Sequence, residues 1–158
     1  MFEIITKSPD ETAAIGEKMG LFFSKGVVIC LYGDLGAGKT LFTQNLAKGL
    51  DIDEDVTSPT FNIMNVYEGR LTLYHFDLYR LEQEYELEDI GFYDYVDDPD
   101  GIVVIEWADK FADCLPDDFV LLTIERTDGD DNERRLIFDL HGEAYANILR
   151  EVEELCQF

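Results

Sequence analysis

An α/β fold, a single mixed β-sheet flanked by helices on both faces, is predicted by three observations. The run Val27-Val28-Ile29-Cys30-Leu31-Tyr32 is continuous and β-branched at its start, the pattern of a strand buried on both faces. A glycine-rich loop and a helical pattern follow it to about Leu50. The second half of the chain reads instead as hairpins, and the combination implies a mixed sheet.

The elements follow in order. Residues 2–6 form a short apolar run that predicts a strand. Ser8-Pro9-Asp10-Glu11 predicts a helix start, with Ser8 as N-cap, proline in the first turn and a glutamate three residues after the serine. Ile15, Met19, Phe22 and Phe23 continue at helical spacing, and Gly26 ends the segment. Residues 61–68 and 71–79 flank Gly69 as a hairpin. An acidic stretch, 82–100, carries a short helix over 84–90 and a turn at 97–101. Residues 102–105 predict a second buried strand, closed by Glu106-Trp107. Residues 119–126 and 135–140 predict another hairpin, and 144–155 a closing helix.

The 158 residues suit one domain spanning 1–158, able to bury roughly 68–70% of its unfolded surface. Against 35 acidic residues stand 12 lysines and arginines, a net charge of −23. So negative a surface disfavours non-specific gripping of phosphate backbones and binding to anionic membranes. A basic protein partner is compatible with it, and so is mere solubility. Three cysteines without CxxC spacing make neither a disulfide framework nor a zinc site. With no signal-peptide pattern at the N-terminus and no apolar stretch near ~20 residues, the expectation is a cytoplasmic protein.

Gly33-Asp34-Leu35-Gly36-Ala37-Gly38-Lys39-Thr40 matches G-x-x-x-x-G-K-[ST], with a strand before it and a helix after it. At average residue usage such a match is roughly a one-in-a-few-hundred accident in a chain this long. Glycines there permit positive φ and remove Cβ atoms, so that backbone N–H groups converge on a phosphate at a helix N-terminus. Lys39 would bridge the β- and γ-phosphates and the Thr40 hydroxyl would ligate Mg²⁺. The expected fold is therefore P-loop NTPase-like. A cation at position 39 of so acidic a chain also calls for an anionic ligand.

Such a site needs a carboxylate at the end of a neighbouring strand. Glu106 closes the apolar run 102–105 and is the first candidate, to hold Mg²⁺ or to orient the attacking water. Asp77 is the second; on a strand it shares a face with His75 and Tyr79. An acid paired with Arg80 on an edge strand is the alternative for Asp77. His75 alone reads as structural. Thr57-Ser58-Pro59-Thr60-Phe61 sits where a switch loop would cover the γ-phosphate, although an ordinary Ser-Pro turn has the same composition. Phe92, Tyr93 and Tyr95 read either as a docking surface or as a hydrophobic cluster under a long loop.

Four blocks in this order resemble the TsaE (YjeE) family, the bacterial ATPase of tRNA threonylcarbamoyladenosine synthesis. They are residues 31–40, Ser58-Pro59-Thr60-Phe61, His75-Phe76-Asp77-Leu78-Tyr79-Arg80 and Ile105-Glu106-Trp107. The resemblance runs from Ser8-x-x-x-Thr12 to about Arg135. It implies a small ATPase that helps TsaB and TsaD attach the threonylcarbamoyl group to adenosine 37 of tRNAs reading ANN codons. It implies no transfer chemistry by this chain, and at most an indirect or weak tRNA contact. It also implies that Gly33 to Thr40 bind the phosphates, that Thr40 and Glu106 hold Mg²⁺, and that Asp77 and Thr60 support the metal and γ-phosphate. Ser8, Thr12 and Trp107 would lie near the base. In the C-terminal hairpin, where no sharp motif stands, Arg134 is the expected nucleotide contact.

The residues alone predict hydrolysis by positioning and charge neutralisation, with Lys39, Glu106 and Asp77 as the catalytic set. No arginine is placed as a finger, Arg80 being the nearest, so basal turnover is expected to be slow and partner-dependent. The alternatives on the same loop are a small-molecule kinase and a non-enzymatic nucleotide-sensing docking module.

Overall fold

The computed structural model describes residues 1–34, 36–57, 59 and 62–156. Seven strands form one sheet: β1 (Phe2–Thr6), β2 (Val27–Tyr32), β3 (Met64–Tyr67), β4 (Leu73–Asp77), β5 (Ile102–Glu106), β6 (Phe119–Arg126) and β7 (Arg134–His141). Their order across the sheet is β1-β7-β6-β2-β5-β4-β3. β2 runs parallel to both β5 and β6, and β4 runs parallel to β5. The antiparallel pairs are β3 with β4, β6 with β7 and β1 with β7. The expected mixed sheet is therefore present.

Burial explains why the parallel strands occupy the centre. Every residue of β5 and the first five of β2 are buried, which requires cover on both faces. The helices α1 (Pro9–Phe22), α2 (Lys39–Gly49), α3 (Tyr85–Asp89), α4 (Phe92–Val96) and α5 (Ala146–Leu155) supply that cover, with a 3-10 segment at Ala108–Cys114. Helix α1 starts as expected: Ser8 accepts from the Glu11 amide at 3.2 Å, and Glu11 reaches back to the Lys7 amide at 2.7 Å. Its far end is capped from the β3–β4 hairpin, where the Arg70 guanidinium donates to the carbonyls of Gly20 at 2.6 Å and Phe23 at 2.7 Å.

Helices α1 and α2 cross at glycines. A Cβ on Gly20 would stand 2.3 Å from the Leu46 carbonyl, and one on Gly49 would stand 2.3 Å from that of Glu17. Only hydrogen side chains allow so close an approach.

Of the two readings of the 92–96 aromatics, the structure has the hydrophobic cluster: they lie on α4, Phe92 is fully buried, and the Phe76 ring meets Phe92 at 5.4 Å and Tyr95 at 5.7 Å. Asp77 is not on an edge strand, because β3 covers β4 on its outer side. Tyr79 lies beyond the end of β4 and shares no strand face with His75 and Asp77. No helix among the described residues is long and apolar enough to cross a membrane.

Candidate functional site

The site lies at the carboxyl ends of the parallel strands, where open α/β sheets hold their ligands. The glycine-rich loop leaves β2 there and becomes the N-terminus of α2. Gly38 caps that helix at φ +115°, a conformation that disfavours any side chain, and a Cβ built on it meets nothing within 4 Å. The open volume above Gly38 lies at the N-terminus of α2, a geometry suited to a phosphate.

Strand register brings the acids together. Asp77 on β4 stands opposite Glu106 on β5, and Glu106 stands opposite Leu31 on β2. A cavity of about 360 Å³ is lined by Gly36, Gly38, Lys39, Thr40, Asp77, Glu106 and Trp107 among others. A second, of about 410 Å³, runs over Tyr32, Gly33, Asp34, Thr123 and Glu125 and shares Lys39 and Trp107 with the first.

Lys39 Nζ lies 3.6 Å from Glu106 Oε1, and His75 Nε2 lies 2.7 Å from Glu106 Oε2. Lys39 therefore has an internal counter-ion, and the inference that its charge demands an external anion does not hold. Burial of Glu106 opposes its ionisation. The hydrogen bond and electrostatic interaction with His75, and then the charge of Lys39, outweigh this and hold the carboxyl below its ordinary range. Asp77 is displaced the other way: burial and the neighbouring Glu106 charge raise it, against a hydrogen bond from the Tyr79 amide at 3.0 Å.

Trp107 turns the chain out of β5 in a left-handed conformation, φ 61° and ψ 30°. Its ring, 41% exposed, lies 5.5 Å from Lys39 Nζ and 4.9 Å from the Tyr79 ring. Trp107, like Lys39, lines both cavities.

Ser8, Thr12 and Arg134 do not appear in the lining of either cavity. The Ser8 side chain is engaged in the helix cap, and the buried Thr12 hydroxyl pairs with Thr6 Oγ1 at 2.6 Å. Arg134 faces Thr6 across β1 and β7, and its Nε donates to the Ala37 carbonyl at 2.8 Å. Arg126 reaches the loop as well, to the Gly36 carbonyl at 3.2 Å. Leu35, Ser58, Thr60 and Phe61 lie outside the described residues.

His75, read from the sequence as structural on the face it shares with Asp77, stands against Glu106. Arg126 carried no signal in the sequence, since its contact with Gly36 spans 90 residues.

Thr40, Asp77 and Glu106 present a hydroxyl and two carboxylates, hard oxygen donors that fit a magnesium ion. Among the described residues no group of three His, Cys, Asp or Glu could hold a metal by itself. Phosphate oxygens and water would have to complete the shell.

The model of the family "Threonylcarbamoyl adenosine biosynthesis protein TsaE" matches residues 6–136. The tRNA threonylcarbamoyladenosine biosynthesis protein TsaE of Bacillus subtilis (strain 168) is 42% identical over 148 residues, 93% of this chain and 90% of that protein. Its counterpart from Treponema pallidum (strain Nichols) is 43% identical over 120 residues, 76% of this chain and 88% of that protein. The crystal structure of Bacillus subtilis YdiB superposes with a TM-score of 0.78 at 34% identity, covering 99% of this chain and 96% of that one. With its sheet, its glycine-rich loop and its strand-end acids in this order, the chain belongs to the TsaE family of threonylcarbamoyl adenosine biosynthesis proteins.

Proposed function

We propose that this chain is a single-domain, cytoplasmic ATPase that binds Mg·ATP at the loop 33–40 and hydrolyses it slowly. Its turnover supports a TsaB–TsaD pair in forming threonylcarbamoyladenosine at position 37 of tRNAs reading ANN codons. The observation that carries the reading is the convergence of Lys39, Glu106 and Asp77 on one cavity, beside a helix N-terminus with open space above Gly38.

In this reading the loop amides and Lys39 take the phosphate oxygens, stabilising charge as it redistributes in the transition state. Lys39 exchanges its Glu106 partner for phosphate, which frees Glu106 Oε1. Thr40, Glu106 and Asp77 are the residues that would hold magnesium, which when bound neutralises phosphate charge and draws the terminal phosphate into line. Asp77 or Glu106 orients the attacking water, and Thr60 supports the γ-phosphate. Ser8, Thr12, Trp107 and Arg134 form or brace the rest of the nucleotide site.

The test is ATP turnover by the purified chain, alone and with TsaB and TsaD. Lys39→Ala should lower it at least ~100-fold, the scale of losing one preorganised charge-stabilising group, while circular dichroism stays native. Undiminished hydrolysis by that variant sinks the reading.

A further inference from the structure

We infer that His75 is a positioning residue for Glu106: it donates from Nε2 and fixes the carboxylate with Oε1 turned toward Lys39. This rests on the reading of Glu106 as a magnesium-side acid.

His75 lies on β4 one strand-face step below Asp77, opposite Val104. It is 1% exposed, and Glu106, which it touches, is 5% exposed. The 2.7 Å contact joins Nε2 to Oε2, while Oε1 faces Lys39 Nζ at 3.6 Å. The other ring nitrogen, Nδ1, is buried and has no hydrogen-bond partner.

That orphan atom decides the tautomer. A proton on Nδ1 would be a buried, unsatisfied N–H, costing on the order of 1–3 kcal/mol. It would also leave the Nε2 lone pair pointing at a carboxylate oxygen, a repulsive contact. A proton on Nε2 removes both penalties, so His75 is the donor and Glu106 the acceptor.

The chemical consequence follows from the geometry. The Nε2–H fixes Oε2 and leaves Oε1 directed toward Lys39 and the cavity. Glutamate has three rotatable bonds, so the anchor removes freedom that would otherwise have to be lost during ligand binding. Partners one step behind a metal-side ligand typically contribute 10–100-fold.

The experiment uses the full chain, which contains only two histidines, His75 and His141. Long-range proton–nitrogen NMR without nucleotide should show one imidazole with a proton held on Nε2. Its shifts should move in Glu106→Ala while those of exposed His141, stacked on Phe119, stay in place. His75→Leu should lower kcat at least ~10-fold. It should also shrink the gain in ATP affinity that magnesium brings over EDTA, with affinity in EDTA unchanged. His75→Gln, whose amide N–H can reach the same oxygen, should recover most of both. An Nδ1–H tautomer overturns the inference. So does His75→Leu with kcat and magnesium gain within twofold of the parent, or folded Leu and Gln variants of equal deficit. Absence of any ATP binding by the parent chain would instead overturn the functional reading, and the imidazole spectrum would still decide whether His75 holds Glu106.

Discussion

Arg134 donates its Nε hydrogen to the carbonyl of Ala37 at 2.8 Å, across 97 residues of sequence. Its terminal nitrogen donates to the backbone carbonyls of Asp131 and Glu133, so the guanidinium ties the start of β7 to the loop. A loop that must present several N–H groups at once gains from having its carbonyls held from behind. Arg134→Ala should therefore weaken ATP binding about 10-fold, the scale of one charged hydrogen bond. Arg134→Lys should recover little, because a lysine lacks the planar fork. Calorimetric titration of ATP into the three proteins checks this; equal affinities would mean that the tie does not shape the loop.

Asp77 illustrates an opposition between stability and function. Its carboxyl is raised by burial and by the Glu106 charge, so at neutral pH ionised Asp77 costs the fold stability. For a raised group the relative stabilisation is present at low pH and is lost as pH rises through the folded value. Asp77→Asn should consequently raise Tm at pH 7 and lose that advantage toward pH 4, while ATP turnover falls. Melting curves at the two pH values, with turnover at pH 7, decide the matter. A lower Tm at pH 7 would refute it.

The buried aromatic cluster behind β4 makes a prediction for stability alone. Phe92 is fully buried and packs edge-on against Phe76. Phe92→Ala should cost about 3–5 kcal/mol, the range for emptying a phenylalanine site in a core. Urea unfolding measures this. A loss under about 1 kcal/mol would restore the view of these rings as a surface.

Thiol chemistry reports on the sheet interior. Burial pushes Cys30 up to about 12 and Cys156 up to about 11, whereas Cys114 is only half-buried. A disulfide reagent at pH 8 should label Cys114 first and reach the other two only in denaturant. Because the folded Cys30 thiol lies above its ordinary 9.0, its contribution to stability is complete below about pH 9 and is lost toward pH 12. Rapid labelling of Cys30 in the native protein would contradict the buried placement of β2.

What was legible in the sequence was local. The strands 2–6 and 27–32, the Ser8 cap, the loop 33–40 and the strand-end acid Glu106 each carry their signal within a few residues. Periodicity, capping and turn chemistry act over that range. The acids at 77 and 106 could be picked out singly, Glu106 because it closes an apolar run and Asp77 from the strand face it shares with His75.

What only the tertiary structure decided was contact at a distance. Pairing of β4 beside β5 set Asp77 against Glu106, and the same register slid His75 beneath it. The β6–β7 hairpin carried Arg126 and Arg134 to the loop, and the α1–α2 crossing gave Gly20 and Gly49 their purpose. Short-range preferences determine what an element is. Which elements become neighbours is set by how the whole chain buries its apolar surface, a sum over all residues that no single segment displays.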